Sequence, residues 1–211
     1  WVAGANSAGI AMPGADTEWR AESRMLTQDT PLILSWDNGQ GQVFTKVISV
    51  DDDYMFSITQ RVDNTSTAPI SLHPYGLISR RTTPEVTGFY ILHEGLLGVF
   101  DETLQEVDYD DLQEAGSIKQ TATGGWLGIT DKYWLTALVP DQHTTVNSRF
   151  VHRMDNDADK YQVDYLSASV DAPAGGSVEV TNAFFAGAKE VTLLDGYEEQ
   201  LDVKRFDLAI D

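Results

Sequence analysis

The chain has 211 residues, with 33 acidic side chains against 14 Lys and Arg, so its formal net charge is -19. This balance argues against a nucleic-acid ligand, because affinity for phosphate backbones comes from clustered cations. The absence of Cys excludes thiol catalysis, iron-sulfur clusters and disulfides. Hydrophobic residues make up 42% of the chain, enough for one substantial core, and we expect a single domain.

No run of the sequence approaches the roughly 20 apolar residues that cross a bilayer as a helix. The most apolar short run is Tyr133 to Val139. The sequence begins with Trp1 rather than Met, and no basic-then-apolar leader follows it. We therefore expect a processed or excised piece of a longer protein.

Alternating apolar and polar residues predict that most of the chain is β-strand. The first 17 residues, rich in Gly, Ala and Ser, are expected to form an irregular lead-in. Leu32 to Trp36 and Val43 to Val50 flank Asp37 to Gly41, a hairpin loop of residues that accept positive φ. Three later segments alternate in the same way: Phe56, Ile58 and Val62; Tyr161, Val163 and Tyr165; Val178, Val180 and Phe184.

Only the end of the chain changes period. Apolar spacings of three and four predict a helix over Lys189 to Gln200, starting near Gly187 and interrupted by Gly196. Turn residues elsewhere leave short strands between them, as in a sandwich or barrel. We predict a β domain over residues 1–186 and a C-terminal helical segment over residues 187–211.

One acidic segment resembles a calcium loop in its first half. Asp155 to Asp159 places oxygen-bearing side chains at alternate positions, but Lys160 stands where a Gly is needed and Leu166 where a bidentate Glu is needed. We interpret it as a solvated turn, as we do Asp51 to Asp53. No metal site and no cofactor are expected.

The remaining candidate groups are assigned structural roles. The four His residues have no metal-binding spacing, so surface or core positions are expected for His73, His93, His143 and His152. Asn64 to Ser66 matches a glycosylation acceptor, which matters only in a eukaryotic secretory context. Five aromatic residues could line a sugar or peptide cleft, but we expect them in the core: Trp126, Tyr133, Trp134, Phe184 and Phe185.

Several motifs, taken in order, resemble the large periplasmic domain of the YidC family of bacterial membrane protein insertases. The segment Gly124 to Pro140 resembles the Gly-Gly-Trp and Tyr-aromatic-x-x-Ala-x-x-Pro stretch of that family. Phe89 to Gly95, followed by Glu106 to Tyr109, resembles its aromatic-x-Leu-His-x-x-Gly region and the charged-aromatic strand after it. The family hairpin is matched by Trp36 to Lys46, and the start of its C-terminal helical stretch by Phe185 to Lys189.

The resemblance implies a mainly β fold, an antiparallel β-supersandwich similar to sugar mutarotases, with a short C-terminal helical segment. It also implies a non-catalytic domain on the periplasmic face of the bacterial inner membrane, in a multi-pass protein that inserts and folds inner-membrane proteins. The implied partners are SecF or SecDF, the SecYEG translocon and, through the full-length protein, nascent membrane proteins. Strands and a transmembrane helix that precede this region in the family are expected to be missing here.

Two other interpretations remain open. A supersandwich enzyme or carbohydrate-binding module would need His73 or His93 to converge with a carboxylate such as Glu94 in one cleft. A pilus or surface β-sandwich would lack a downstream membrane segment. The acidity suits a surface that avoids anionic headgroups.

The C-terminal segment carries the predicted interdomain and membrane-proximal contacts. We expect Val191, Leu194 and Leu201 to dock the helix onto the β domain, because so short a helix is marginal alone. Beyond it, two cations beside an aromatic ring suit a membrane boundary: Lys204, Arg205 and Phe206.

Overall fold

The computed structural model describes residues 1–85 and 92–210. Strands account for 53% of the residues and helices for 11%, which confirms the mainly β prediction. The first eight strands are β1 (Val2–Ala3), β2 (Arg20–Ala21), β3 (Leu32–Asp37), β4 (Gln42–Val50), β5 (Met55–Asn64), β6 (Ile70–His73), β7 (Tyr75–Arg81) and β8 (Gly95–Phe100).

The second half contains eight more strands and all the helices of the described residues. The strands are β9 (Thr103–Val107), β10 (Ser117–Thr123), β11 (Gly125–Thr130), β12 (Trp134–Val139), β13 (Thr145–Asp155), β14 (Ala158–Ser167), β15 (Val170–Ala172) and β16 (Gly176–Ala188). The helices are α1 (Tyr109–Ala115), α2 (Val191–Leu201) and a 3₁₀ helix, Phe206–Ile210.

The first of two compact units comprises Trp1–Tyr75 and Ser167–Ala183. It contains a sheet of order β1-β6-β15 and the run β2-β3-β4-β5 followed by the first part of β16. Its core is built from the inward positions of these strands, as period-two patterning requires: Phe44, Val62, Ile70, Leu72 and Ala172.

The predicted hairpin of the first unit is confirmed. Leu32 pairs with Ile48 and Asp37 with Val43, so the register is that of a tight antiparallel hairpin. Gly39 and Gly41 adopt φ values of +71° and +96°, the left-handed region that side chains with a Cβ rarely occupy.

The lead-in is irregular over most of its length, as predicted, but it is tied to the first unit. Val2 pairs with His73 through the short strand β1. Ser7 is fully buried, and its hydroxyl donates to the Ser71 carbonyl at 2.6 Å. Composition did not reveal this anchoring, because it depends on a partner 64 residues away.

The second unit comprises Gly76–Leu166 and the chain from Phe184 onward. It contains a sheet of order β10-β13-β14-β7, and a second run in which the later part of β16 is followed by β12-β11-β8-β9. The apolar faces bury a large cluster: Leu96, Val107, Tyr109, Leu112, Leu127, Ile129, Leu138, Val146, Phe150, Tyr161, Val163 and Tyr165.

Three features of the second unit differ from the sequence prediction. Helix α1 was not predicted, because seven residues are too few to establish a period; it buries Tyr109 and Leu112 and ends at Gly116, where φ is +68°. Gly187 lies inside β16 and does not start the helix. The predicted division after residue 186 therefore falls within a strand.

Two further features of the sequence can be compared with the structure. Asn64 is 1% exposed and hydrogen-bonded to the Ala172 carbonyl, so the matched glycosylation acceptor is buried. No helix of residues 1–85 and 92–210 is long and apolar enough to cross a membrane.

Candidate functional site

The C-terminal segment is packed into the second unit through one face of α2. Leu194 is fully buried and Tyr197 is 5% exposed. Residues three apart lie on the same face of a helix, so this face is the buried one. The backbone N–H groups of Leu193 and Leu194 both donate to the Glu190 carbonyl at 3.0 Å, which starts the first turn. Gly196 does not interrupt the helix, contrary to expectation, and the chain leaves it at Asp202 in a left-handed conformation.

An aromatic cluster joins this segment to the strands. The Phe206 ring lies edge-on to Trp126 of β11 at 5.4 Å and to Phe185 of β16 at 5.8 Å. Phe185 in turn meets Tyr197 of α2 at 6.0 Å. Such edge-to-face pairs add roughly 0.5–1.5 kcal/mol each beyond the area they bury. Strand, helix and 3₁₀ helix therefore share one core.

Hydrogen bonds fix the chain between α2 and the 3₁₀ helix. The Trp126 indole N–H donates to the Arg205 carbonyl at 3.1 Å. The Gln142 amide oxygen accepts from the backbone N–H of Gly125 at 2.9 Å and of Lys204 at 3.2 Å. The Gln142 amide nitrogen donates to the carbonyls of Gly125 and Pro140 at 2.9 and 2.8 Å. One side chain thus binds the start of β11 and the returning C-terminal chain together.

Of the three residues expected to dock α2, one is buried and two are exposed. Leu194 is buried as expected. Val191 is 58% exposed and Leu201 is 43% exposed, so neither anchors the helix. They are its first and last residues. Tyr197, Val203 and Phe206 supply the missing buried area, at 5%, 0% and 0% exposure.

The predicted membrane boundary is also partly corrected. Phe206 is enclosed in the aromatic cluster and is not a surface ring. The Lys204 ammonium pairs with Asp202 at 2.6 Å, and the Arg205 guanidinium pairs with Asp207 at 3.1 Å. These partners lower the pKa of both carboxyl groups. Whether Lys204 and Arg205 lie near a membrane stays a prediction.

The aromatic residues assigned to the core divide into two groups. Trp126 and Phe185 are buried, and Phe184 packs partly buried against the core, as expected. Tyr133 and Trp134 are 63% and 61% exposed, so their predicted core position is wrong. They lie where β11 turns into β12, a loop closed by the Asp131 N–H donating to the Trp134 carbonyl at 2.8 Å. Tyr133 lies in the turn, and Trp134, the first residue of β12, is exposed whereas the next residue, Leu135, is buried.

The residues required by an enzymatic interpretation are engaged in separate contacts. The His93 Nε2–H donates to the Leu96 carbonyl at 3.0 Å, and its Nδ1 lies 3.4 Å from Asp108. The Glu94 carboxylate accepts the Lys132 backbone N–H at 3.2 Å. Both residues immediately precede β8. His73, in the first unit, meets the Ser167 carbonyl at 2.9 Å.

The acidic motif is a hairpin turn between β13 and β14. Asn156 and Asp157 have φ values of +50° and +60°, the pattern of a two-residue turn of the primed type. The Asp159 carboxylate bonds to His152 at 2.8 Å, whereas Asp155 faces Lys160 at 3.9 Å. In the described parts of the chain, no three His, Asp or Glu side chains converge as a metal site. The remaining histidine, His143, lies in another turn, where its backbone N–H donates to the Asp141 carboxylate at 3.0 Å.

Tyr197, Val203 and Gln142 contribute to the C-terminal packing and were missed from the sequence. Tyr197 follows Leu194 by three residues and could have been found by extending the apolar period of α2. Gln142 carries no sequence signal, because a glutamine in a turn is ordinary and its partners include Gly125 and Lys204, which are 17 and 62 residues away. Part of the resembling motif, Phe89 to Ile91, lies outside the described residues.

The architecture belongs to the antiparallel β-supersandwich class. The fold is similar to that of a galactose mutarotase related enzyme from Lactobacillus acidophilus, with a TM-score of 0.56 over 83% of this chain and 74% of that one. The two sequences are 9% identical, so the likeness shows the fold alone.

Sequence relatives define the family. The family described as the YidC periplasmic domain matches residues 1–211. The membrane protein insertase YidC of Granulibacter bethesdensis is 46% identical over the whole chain, and that of Nitrobacter hamburgensis is 45% identical. The chain spans 37% and 36% of the lengths of these two relatives. It therefore belongs to the YidC periplasmic domain family.

Proposed function

We propose that this chain is the non-catalytic periplasmic domain of a membrane protein insertase and assists the insertion and folding of inner-membrane proteins. Its partners would be the Sec accessory protein SecF or SecDF, the SecYEG translocon and, through the whole protein, nascent membrane proteins. Family membership and the insertase names of the relatives support this proposal.

The packing of the C-terminal segment indicates how the domain would assist insertion. The chain after β16 is anchored by Leu194, Tyr197 and Phe206 in the same core as Trp126. A segment held at several points transmits the orientation of the β-sheet to whatever follows it in the full-length protein. The domain would thus act by positioning, through a rigid C-terminal connection, and not by chemistry.

His93 and Glu94 contact different partners, and this supports the proposal that the domain is non-catalytic. His93 is held by Leu96 and Asp108, and Glu94 faces the Lys132 backbone. General acid-base catalysis needs both groups within hydrogen-bond reach of one substrate. Fold likeness to a mutarotase-related enzyme does not supply that arrangement.

The test is complementation of cells depleted of the full-length insertase. We expect Leu194→Asp, which places a charge in the docked face, to impair membrane protein insertion. Leu201→Asp is the matched control, since it makes the same change at an exposed position of the same helix. Immunoblotting must show both variants at wild-type levels. Equal insertion by the two variants would refute the positioning role.

A further inference from the structure

The turn between β11 and β12 exposes an unusual pair of large aromatic side chains. Tyr133 is 63% exposed and Trp134 is 61% exposed, side by side at the end of a hairpin. The Tyr133 carbonyl accepts the Lys189 backbone N–H at 2.9 Å, which brings the start of α2 against this turn. Val191, two residues after Lys189, is 58% exposed. We call Lys132, Tyr133, Trp134, Lys189 and Val191 the aromatic tip.

The composition of the aromatic tip is that of a membrane interface. Trp and Tyr combine an apolar ring with a polar group, and they concentrate at the headgroup level of bilayers. Lys side chains beside them extend their ammonium groups to the headgroups while the stems cover apolar surface. The Lys132 ammonium lies 5.1 Å from the centre of the Tyr133 ring.

The local charge is compatible with a bilayer, although that of the whole chain is not. The charged groups in or directly linked to the tip include three cations and four anions: Arg80, Lys132, Lys189, Glu94, Glu106, Asp131 and Glu190. Their net charge is -1, whereas the chain carries -19. Most of the surface would be repelled by anionic lipid, but the repulsion at the tip is weaker than elsewhere.

We propose that the aromatic tip is a membrane-docking site that inserts Tyr133 and Trp134 at the headgroup level of the phospholipid bilayer. The inference rests on the proposed function, because an inner-membrane insertase holds this domain beside a bilayer. Docking would give the domain a second point of attachment besides its C-terminal connection. Because the tip is nearly neutral, the contact depends on ring burial and is insensitive to salt.

The experiment uses the full-length protein that contains this chain, reconstituted into vesicles of phosphatidylethanolamine and phosphatidylglycerol. A single cysteine at Trp134→Cys carries an environment-sensitive NBD fluorophore. Met154→Cys is the matched control, because Met154 is also 61% exposed in the same unit and stands beside the acidic Asp155. The circular dichroism spectra of the variants must match that of the wild type.

We expect blue-shifted emission from the label at position 134 and quenching by doxyl-labelled lipids, at low and high salt alike. The label at position 154 should remain in water and unquenched. Equal, water-like emission at both positions overturns the proposal. A blue shift without lipid quenching also overturns it, because the tip would then be covered by protein. If the Trp134→Cys protein supports growth while its label stays in water, membrane docking is wrong and the proposed function stands.

Discussion

The indole N–H of Trp126 donates to the Arg205 carbonyl at 3.1 Å, across 79 residues of sequence. Trp126 is 1% exposed, so the strand that carries it and the end of the chain are locked in one core. The C-terminal segment is for this reason a part of the β domain and not a tail attached to it.

Truncating this ring should destabilise the domain strongly. Trp126→Ala is expected to lower the free energy of unfolding by about 3–5 kcal/mol, the usual cost of removing a large buried aromatic side chain. Trp126→Phe keeps an aromatic ring beside Phe206 but leaves the Arg205 carbonyl without its donor, and should cost less. Urea denaturation measures both values, and wild-type stability of the Ala variant would show that the ring is not packed as described.

Gln142 offers a test of the polar side of the same packing. Gln142→Glu replaces the amide donor that binds the Gly125 and Pro140 carbonyls with an acceptor. We expect a loss of about 1–3 kcal/mol, because two carbonyl groups lose their partner and face a negative charge. His143→Gln, one residue away and exposed, is the control and should melt like the wild type. Thermal unfolding of the two variants at neutral pH decides the matter.

The domain should show no sugar chemistry. Incubation with aldose sugars is expected to leave the rate of anomer exchange unchanged, because His93 and Glu94 are bound to different partners. Polarimetry provides the measurement. An accelerated rate that disappears in His93→Ala would contradict the non-catalytic proposal.

Tyr109 predicts a specific loss of stability at alkaline pH. Burial raises its pKa from 10.0 to about 12, although the neighbouring Arg80 guanidinium lowers it. The folded state therefore keeps the phenolic proton at pH values where the unfolded chain has released it. Stability from this group is complete below pH 10 and is lost as the pH rises towards 12, by roughly 2 kcal/mol.

The matched variant for this prediction is Tyr109→Phe, which cannot ionise. It should start less stable, since the Arg80 guanidinium loses its 3.1 Å bond to the hydroxyl. Between pH 10 and 12, however, its unfolding free energy should fall less steeply than that of the wild type. Parallel pH profiles in urea titrations would show that Tyr109 does not titrate with the shifted pKa.

The sequence by itself determined the strands, the hairpin at Gly39 and Gly41, and the burial of Trp126. Alternation with period two and residues that accept positive φ act over a few neighbours, and a local pattern is enough to predict them. Leu194 was found for the same reason, since a period of three to four is also local.

Only the tertiary structure decided which other residues of the C-terminal segment are inside. Phe206 resembles an interfacial ring in the sequence, yet the left-handed turn at Asp202 returns it to Trp126 and Phe185. Tyr133 and Trp134 resemble core residues in the sequence, yet both are exposed at the turn between β11 and β12. Burial at these positions depends on where the chain turns in space, and contacts between residues far apart in sequence determine that path.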